Sequence, residues 1–310
     1  RLMLIRTRTF ALLGVVVGAA LEQRSMACDS PTCTCPAQVT LSCQGAWKIA
    51  ESPSFQVCSL TSGAEAESVA RRCEQVRRDL IDAWGLDEST QPWSPKCQVI
   101  LHRTSGNYGA AVGGSYAATY GSSLVKPSTG TITLRRIDLR TNVEDYLTAA
   151  LPHELCHVLM ADRFRNGAPP LWYDEGIALL ADTEAKQRLH ERDLREGMRR
   201  KIEFSLAELL VAKEYPPSER MGVFYGQCAA LTRYLRHVGS AEQLHRFALR
   251  CGEVGVNLGA QECYELAGAQ DLENHWRQSL LKQETAVTAR ILPAGNSDPP
   301  HLRLSGSDRP

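Results

Sequence analysis

An α+β fold is predicted from three observations. Short apolar strands accompany one strong helix in the first half of the chain, helical periodicity fills the second half, and two histidines at helical spacing stand where the halves meet. The stretch from Ser54 to Ser59 alternates and includes Phe55, Val57 and Cys58, which predicts a short strand. From Glu65 to Trp84, the residues Val69, Cys73, Val76, Leu80 and Ile81 recur at helical spacing, and Gly85 marks a C-terminus. Cys97 to His102 predicts a second strand. Residues 104–123 are rich in Gly, Ser and Tyr without periodicity and predict a long surface loop, a length that is often functional. Thr131 to Ile137 predicts a third strand.

Asn142 is placed to cap a helix running through Val143, Tyr146, Leu147, Ala150, Leu151, Leu155, Val158 and Leu159. Pro152 interrupts it, either as a kink or as the first turn of a separate helix. Glu184 to Phe204 mixes charges of both signs, as a solvated helix does. Further helices are expected at 206–211, 223–238, 241–250 and 271–281, separated by Pro216-Pro217, Gly239 and Gly252/Gly255. The organisation expected is a leader at 1–27, a Cys/Pro-rich linker at 28–53, an N-terminal α/β subdomain at 54–141, a helical subdomain at 142–283 and a disordered tail at 284–310.

Thirty-five basic and thirty-five acidic residues leave no net charge, so nothing in the balance suits a nucleic acid or an anionic membrane. Arg1, Arg6 and Arg8 precede an apolar run from Phe10 to Leu21, and Ser25-Met26-Ala27 offers a cleavage site, the layout of an export signal. The run is short for a permanent anchor, so no stable membrane span is expected after cleavage. A competing reading acylates Cys28, but Ser25 stands where a lipoprotein signal carries a branched aliphatic residue. The chain opens on Arg1, and Met3 is an alternative start. Eleven cysteines suit an exported protein with disulfides, their odd number leaving at least one thiol over. Cys251 and Cys263 flank a Gly-rich connection and are placed to bridge two helices. Cys33-x-Cys35 lacks the second pair that a zinc finger needs.

His153-Glu154-Leu155-Cys156-His157 carries the chemistry. On a helix, positions i and i+4 share a face, so both imidazoles can reach one zinc ion, and Glu154 then stands beside the open coordination position as a base towards water. Cys156 occupies a variable position and is expected to pack. A catalytic zinc takes three protein ligands, so a third is needed. The metzincin pattern is excluded, because Met160 and Arg163 stand where it needs Gly and His. Glu175, at the head of the apolar run Ile177 to Ala181, is the candidate, with Gly176 allowing close approach of that helix; the bland alternative is a carboxylate favoured by a helix N-terminus.

The pair Leu151-Pro152-His153-Glu154-x-x-His157-Val158 and Trp172-x-Asp174-Glu175-Gly176-x-Ala178 resembles the gluzincin metallopeptidases, and more closely the bacterial peptidase MA-like families of secreted proteins. The resemblance is specific around 151–182. It implies a small mixed sheet followed by a mainly helical zincin-like subdomain, one Zn2+ per chain, and a peptide or protein substrate held on an edge strand, for which Thr131 to Arg136 is the candidate; the alternative there is an edge protected by Arg135 and Arg136. It also implies an oxyanion donor, for which Tyr225 in Phe224-Tyr225-Gly226-Gln227 is the choice, ahead of His237 and His245. Among carboxylates that can support the ligand histidines, Asp162, Asp174 and Asp182 are candidates, with Asp174 equally suited to capping a helix. Leu179 replaces the Asp that thermolysin-like relatives carry four residues past the third ligand, so their supporting arrangement does not transfer. Since no Gly-x-Met-Glu-Asn motif is present, an endopeptidase is favoured over an aminopeptidase. The function expected is thus a secreted or periplasmic zinc metallopeptidase with Glu154 as general base. The rival is a non-catalytic zinc-binding envelope or adhesion module, which has no use for Glu154.

Overall fold

The computed structural model describes residues 37–86, 90–113, 118–164 and 167–291. The expected leader, the lipidation site at Cys28 and the cysteines Cys33 and Cys35 lie outside them. The fold is α+β, with a six-stranded mixed sheet and, among the described residues, ten α-helices. The strands are β1 (Thr40–Gln44), β2 (Trp47–Glu51), β3 (Phe55–Ser59), β4 (Cys97–His102), β5 (Gly121–Ser128) and β6 (Thr131–Arg140), in the order β1-β2-β3-β4-β6-β5. β3, β4 and β6 run parallel, and the outer pairings are antiparallel.

Helix α1 (Gly63–Trp84) links the parallel strands β3 and β4, a connection too wide for a hairpin. Ser62 caps its N-terminus by accepting from the Glu65 N–H, and Gly85 ends it in a left-handed conformation, φ 61°. Its buried face, Val69, Cys73, Val76, Leu80 and Ile81, packs with Phe55, Val57, Val99, Ile137 and Leu139 in one core. Each such side chain contributes about 1.5–3 kcal/mol on full burial.

Several expectations are corrected here. Residues 40–51, expected within the linker, form the β1–β2 hairpin, whose outer strand is exposed at every position and so carries no apolar pattern. The expected loop at 104–123 contains helix α2 (Ser105–Val112), capped by Thr104, and the start of β5. Thr131 to Arg136 is not an edge, because β6 lies between β4 and β5; the edge is β5. Pro127 in β5 is compatible only with such a position, and the register shifts beside it. Thr129 (φ 46°) and Gly130 (φ 79°) close the β5–β6 hairpin with both central residues at positive φ, as the sheet twist requires.

Asn142 is not a helix cap. A π-turn, Tyr146–Ala150, leads directly into α3 (Leu151–Ala161). Pro152 lacks an N–H and its ring crowds the carbonyl four residues back, and the wider turn, closed by Leu151 N–H to the Tyr146 carbonyl, accommodates it. After α4 (Leu171–Leu180) come α5 (Glu184–Arg200), α6 (Leu206–Val211), α7 (Ser218–Val238), α8 (Ala241–Val254), α9 (Val256–Tyr264) and α10 (Ala269–Ile291). The Gly-rich connection after Cys251 is therefore mostly α9, and the backbone of α10 continues to Ile291, eight residues into the expected tail. All eight described cysteines are free thiols, contrary to the expected disulfides. Cys73, Cys97, Cys156, Cys228 and Cys263 are buried and act as small apolar core residues. No helix among the described residues is long and apolar enough to cross a membrane.

Candidate metal centre

The site is built by α3 and α4 between the edge of the sheet and α7. On α3 the residues Leu151, Leu155, Val158 and Leu159 are buried in the core, which turns His153 and His157 to a common side with ring centroids 5.0 Å apart. Glu175 sits mid-helix on α4, not at its N-terminus, so the macrodipole does not account for it. Its position depends on Gly176. A Cβ there would stand 2.0 Å from Thr232 Oγ1 and 2.8 Å from the Cys228 carbonyl, so α4 lies backbone to backbone against α7. One ligand atom from each of His153, His157 and Glu175 falls within 4.8 Å of the others, and His153 Nε2 is 4.0 Å from Glu175 Oε2.

Both imidazoles have a carboxylate behind them. His157 Nδ1 is 3.0 Å from Asp174 Oδ1, and His153 Nδ1 is 3.4 Å from Asp182 Oδ1. Metal-bound histidines are oriented in this way, with the far ring nitrogen towards a carboxylate and the near one towards the ion. Asp174 thus faces His157 instead of capping its helix, where Pro170 holds the cap position. Asp162 serves elsewhere, pairing with Arg135 and accepting from Trp93 Nε1 at 2.9 Å. Asp182 is further approached by Lys186 Nζ and His190 Nε2 of α5, each at 3.6 Å. Burial raises the Asp182 pKa, but His153, His190 and Lys186 overcome it and hold the carboxyl well below its ordinary range. Burial lowers the His157 pKa, yet Asp174, Glu175 and Glu154 outweigh it and push it up to about 10. Four carboxylates around two histidines favour positive charge at this place. The donor set, two imidazoles and a carboxylate with each ring backed, fits zinc.

Glu154 is nearly buried and lies beneath the first residue of the edge strand. A Cβ on Gly121 would be 2.7 Å from Glu154 Cγ and 3.0 Å from its Oε1. Tyr108 of α2 holds this corner, its hydroxyl bonded at 2.6 Å to Thr119, whose own hydroxyl donates to the Gly121 carbonyl at 2.8 Å. Burial, with the Glu154 and Asp138 carboxylates, pushes the Tyr108 pKa up to about 12 against the opposing Thr119 bond. Gly121→Ala is expected to displace Glu154 without touching the ligands. On the sequence expectation of a zinc peptidase with Glu154 as general base, zinc content by metal analysis should be unchanged while peptide cleavage falls by about 10²-fold. Unchanged cleavage would show that Glu154 tolerates being moved.

Tyr225 lies on α7 with its ring against His190, centroids 6.0 Å apart, and against Tyr215 at 6.4 Å. The Tyr215 hydroxyl donates to Glu175 Oε1. Burial and the Glu175 carboxylate raise its pKa, keeping the phenol protonated as a donor. Tyr215 precedes Pro216-Pro217 in the α6–α7 loop, and nothing local in the sequence marks it. His190 was equally hidden in a helix whose charges read as solvated. Gln227, beside Tyr225, is buried and holds the Phe204 backbone by two 2.8 Å bonds. His237 is exposed on α7, and His245 is a core residue bonded to the Tyr173 hydroxyl at 3.2 Å. Burial first, and then Arg163, lowers the His245 pKa to about 4. No protein-family model matches the chain, and comparison with curated proteins gives no match.

Proposed function

We propose that this protein is an exported zinc-dependent peptidase with a zincin-like helical half, in which His153, His157 and Glu175 hold one Zn2+. The carboxylates of Asp182 and Asp174 behind the two imidazoles carry this reading, since a pair of surface histidines has no need of them. Bound there, zinc would supply a Lewis acid and a lowered pKa for water.

The chain's own residues then divide the work. An extended peptide pairs with β5, the terminal strand of the sheet among the described residues, through N–H and C=O groups that β6 does not use. Glu154, at the head of that strand, takes a proton from the attacking water as its oxygen adds to the scissile carbonyl. It returns that proton to the amine nitrogen as the C–N bond breaks. Asp182 and Asp174 fix the ring orientations of His153 and His157 throughout. Tyr225, whose ring packs on His190 and Tyr215, remains the candidate oxyanion donor, and the absence of an N-terminus-gripping motif favours an endopeptidase. Digestion of a peptide library by the wild type and by Glu154→Gln tests the proposal. A non-catalytic zinc module predicts no metal-dependent cleavage from either protein.

A further inference from the structure

We infer that Tyr215 is the positioning residue of Glu175, holding one carboxylate oxygen so that only the other is offered to the metal. The inference rests on the reading of His153, His157 and Glu175 as a zinc centre. The Tyr215 hydroxyl donates to Glu175 Oε1, whereas Oε2 is the oxygen that faces His153 Nε2. A carboxylate engaged at one oxygen by a strong donor binds a cation through the other, which keeps the ligand count at three protein atoms and leaves a position open.

The contact is built, not incidental. Pro216 restricts the backbone of Tyr215 to an extended conformation, and Pro217 stiffens the stem that leads into α7. Its ring packs edge-on against Phe224, centroids 6.1 Å apart, and Tyr225. Tyr225 in turn packs on His190, which reaches Asp182 behind His153. One aromatic array on α7 and the preceding loop therefore steadies both ends of the ligand set, Glu175 directly and His153 through Asp182.

Tyr215→Phe keeps the ring and removes the donor. In the full-length mature protein, zinc competition against a chromophoric chelator is expected to show affinity weakened about 10- to 100-fold, the scale for losing a partner of a metal ligand. The cobalt(II)-substituted variant is expected to absorb less strongly in the visible than the wild type, because a released Glu175 binds through both oxygens and raises the coordination number. Far-ultraviolet circular dichroism should be unchanged. A variant that binds zinc as tightly as the wild type, with the same cobalt spectrum, overturns the role of Tyr215 and leaves the zinc centre standing. A wild type that takes up no zinc overturns both.

Discussion

Glu154→Gln is expected to retain one zinc per chain and to lose peptide cleavage by 10²-fold or more. Glutamine has the shape of glutamate, so packing under Gly121 is preserved, but its amide accepts no proton from water. Glu154 is not among the ligand atoms that converge, so the metal should stay. Glu175→Ala is the contrast: it removes one of three ligands and should lower zinc occupancy together with activity. Cleavage that survives Glu154→Gln unchanged would assign the activity to another protein or mechanism. Loss of zinc from that variant would make Glu154 a ligand.

Gly176→Ala is expected to have the largest effect on stability. In an open helix the change stabilises by about 0.5–1 kcal/mol. Here the new methyl meets Thr232 Oγ1 at 2.0 Å and the Cys228 carbonyl at 2.8 Å. The threonine is β-branched and fully buried, and the carbonyl belongs to the α7 backbone, so neither turns aside. Overpacking of this kind costs about 1–3 kcal/mol and outweighs the helix gain. Thermal unfolding should shift down by several degrees, at roughly 2–4 °C per kcal/mol. Zinc affinity should fall with it, because Glu175 is carried by the helix that must move. A variant as stable as the wild type would mean that α4 and α7 are not held in contact.

The elements that were legible in the sequence are those whose signals are local. Ser62 and Gly85 bracket α1, Cys97, Val99 and Leu101 of β4 alternate on its buried face, and His153 and His157 share a helix face by spacing alone. What escaped was either polar by necessity or distant in sequence. β1 is exposed throughout, and β5 is an edge strand with Ser122, Ser123 and Pro127, so neither shows the pattern of a buried strand. With β5 unmarked in the sequence, the expected edge falls one strand inward, on β6. The supporting shell of the site was half legible. Asp174 and Asp182 flank Glu175 in the chain, whereas Tyr215 and His190 reach it through tertiary packing of α5 and the α6–α7 loop. Five of the eight described cysteines are buried in the core, where spacing says nothing about partners.

Metal analysis of the purified protein decides whether His153, His157 and Glu175 hold zinc. About one zinc per chain is expected in the wild type and none at micromolar free zinc in the His153→Ala, His157→Ala double variant, with both proteins folded. Full zinc occupancy in the double variant, or a folded wild type that takes up no zinc, would contradict that ligand assignment.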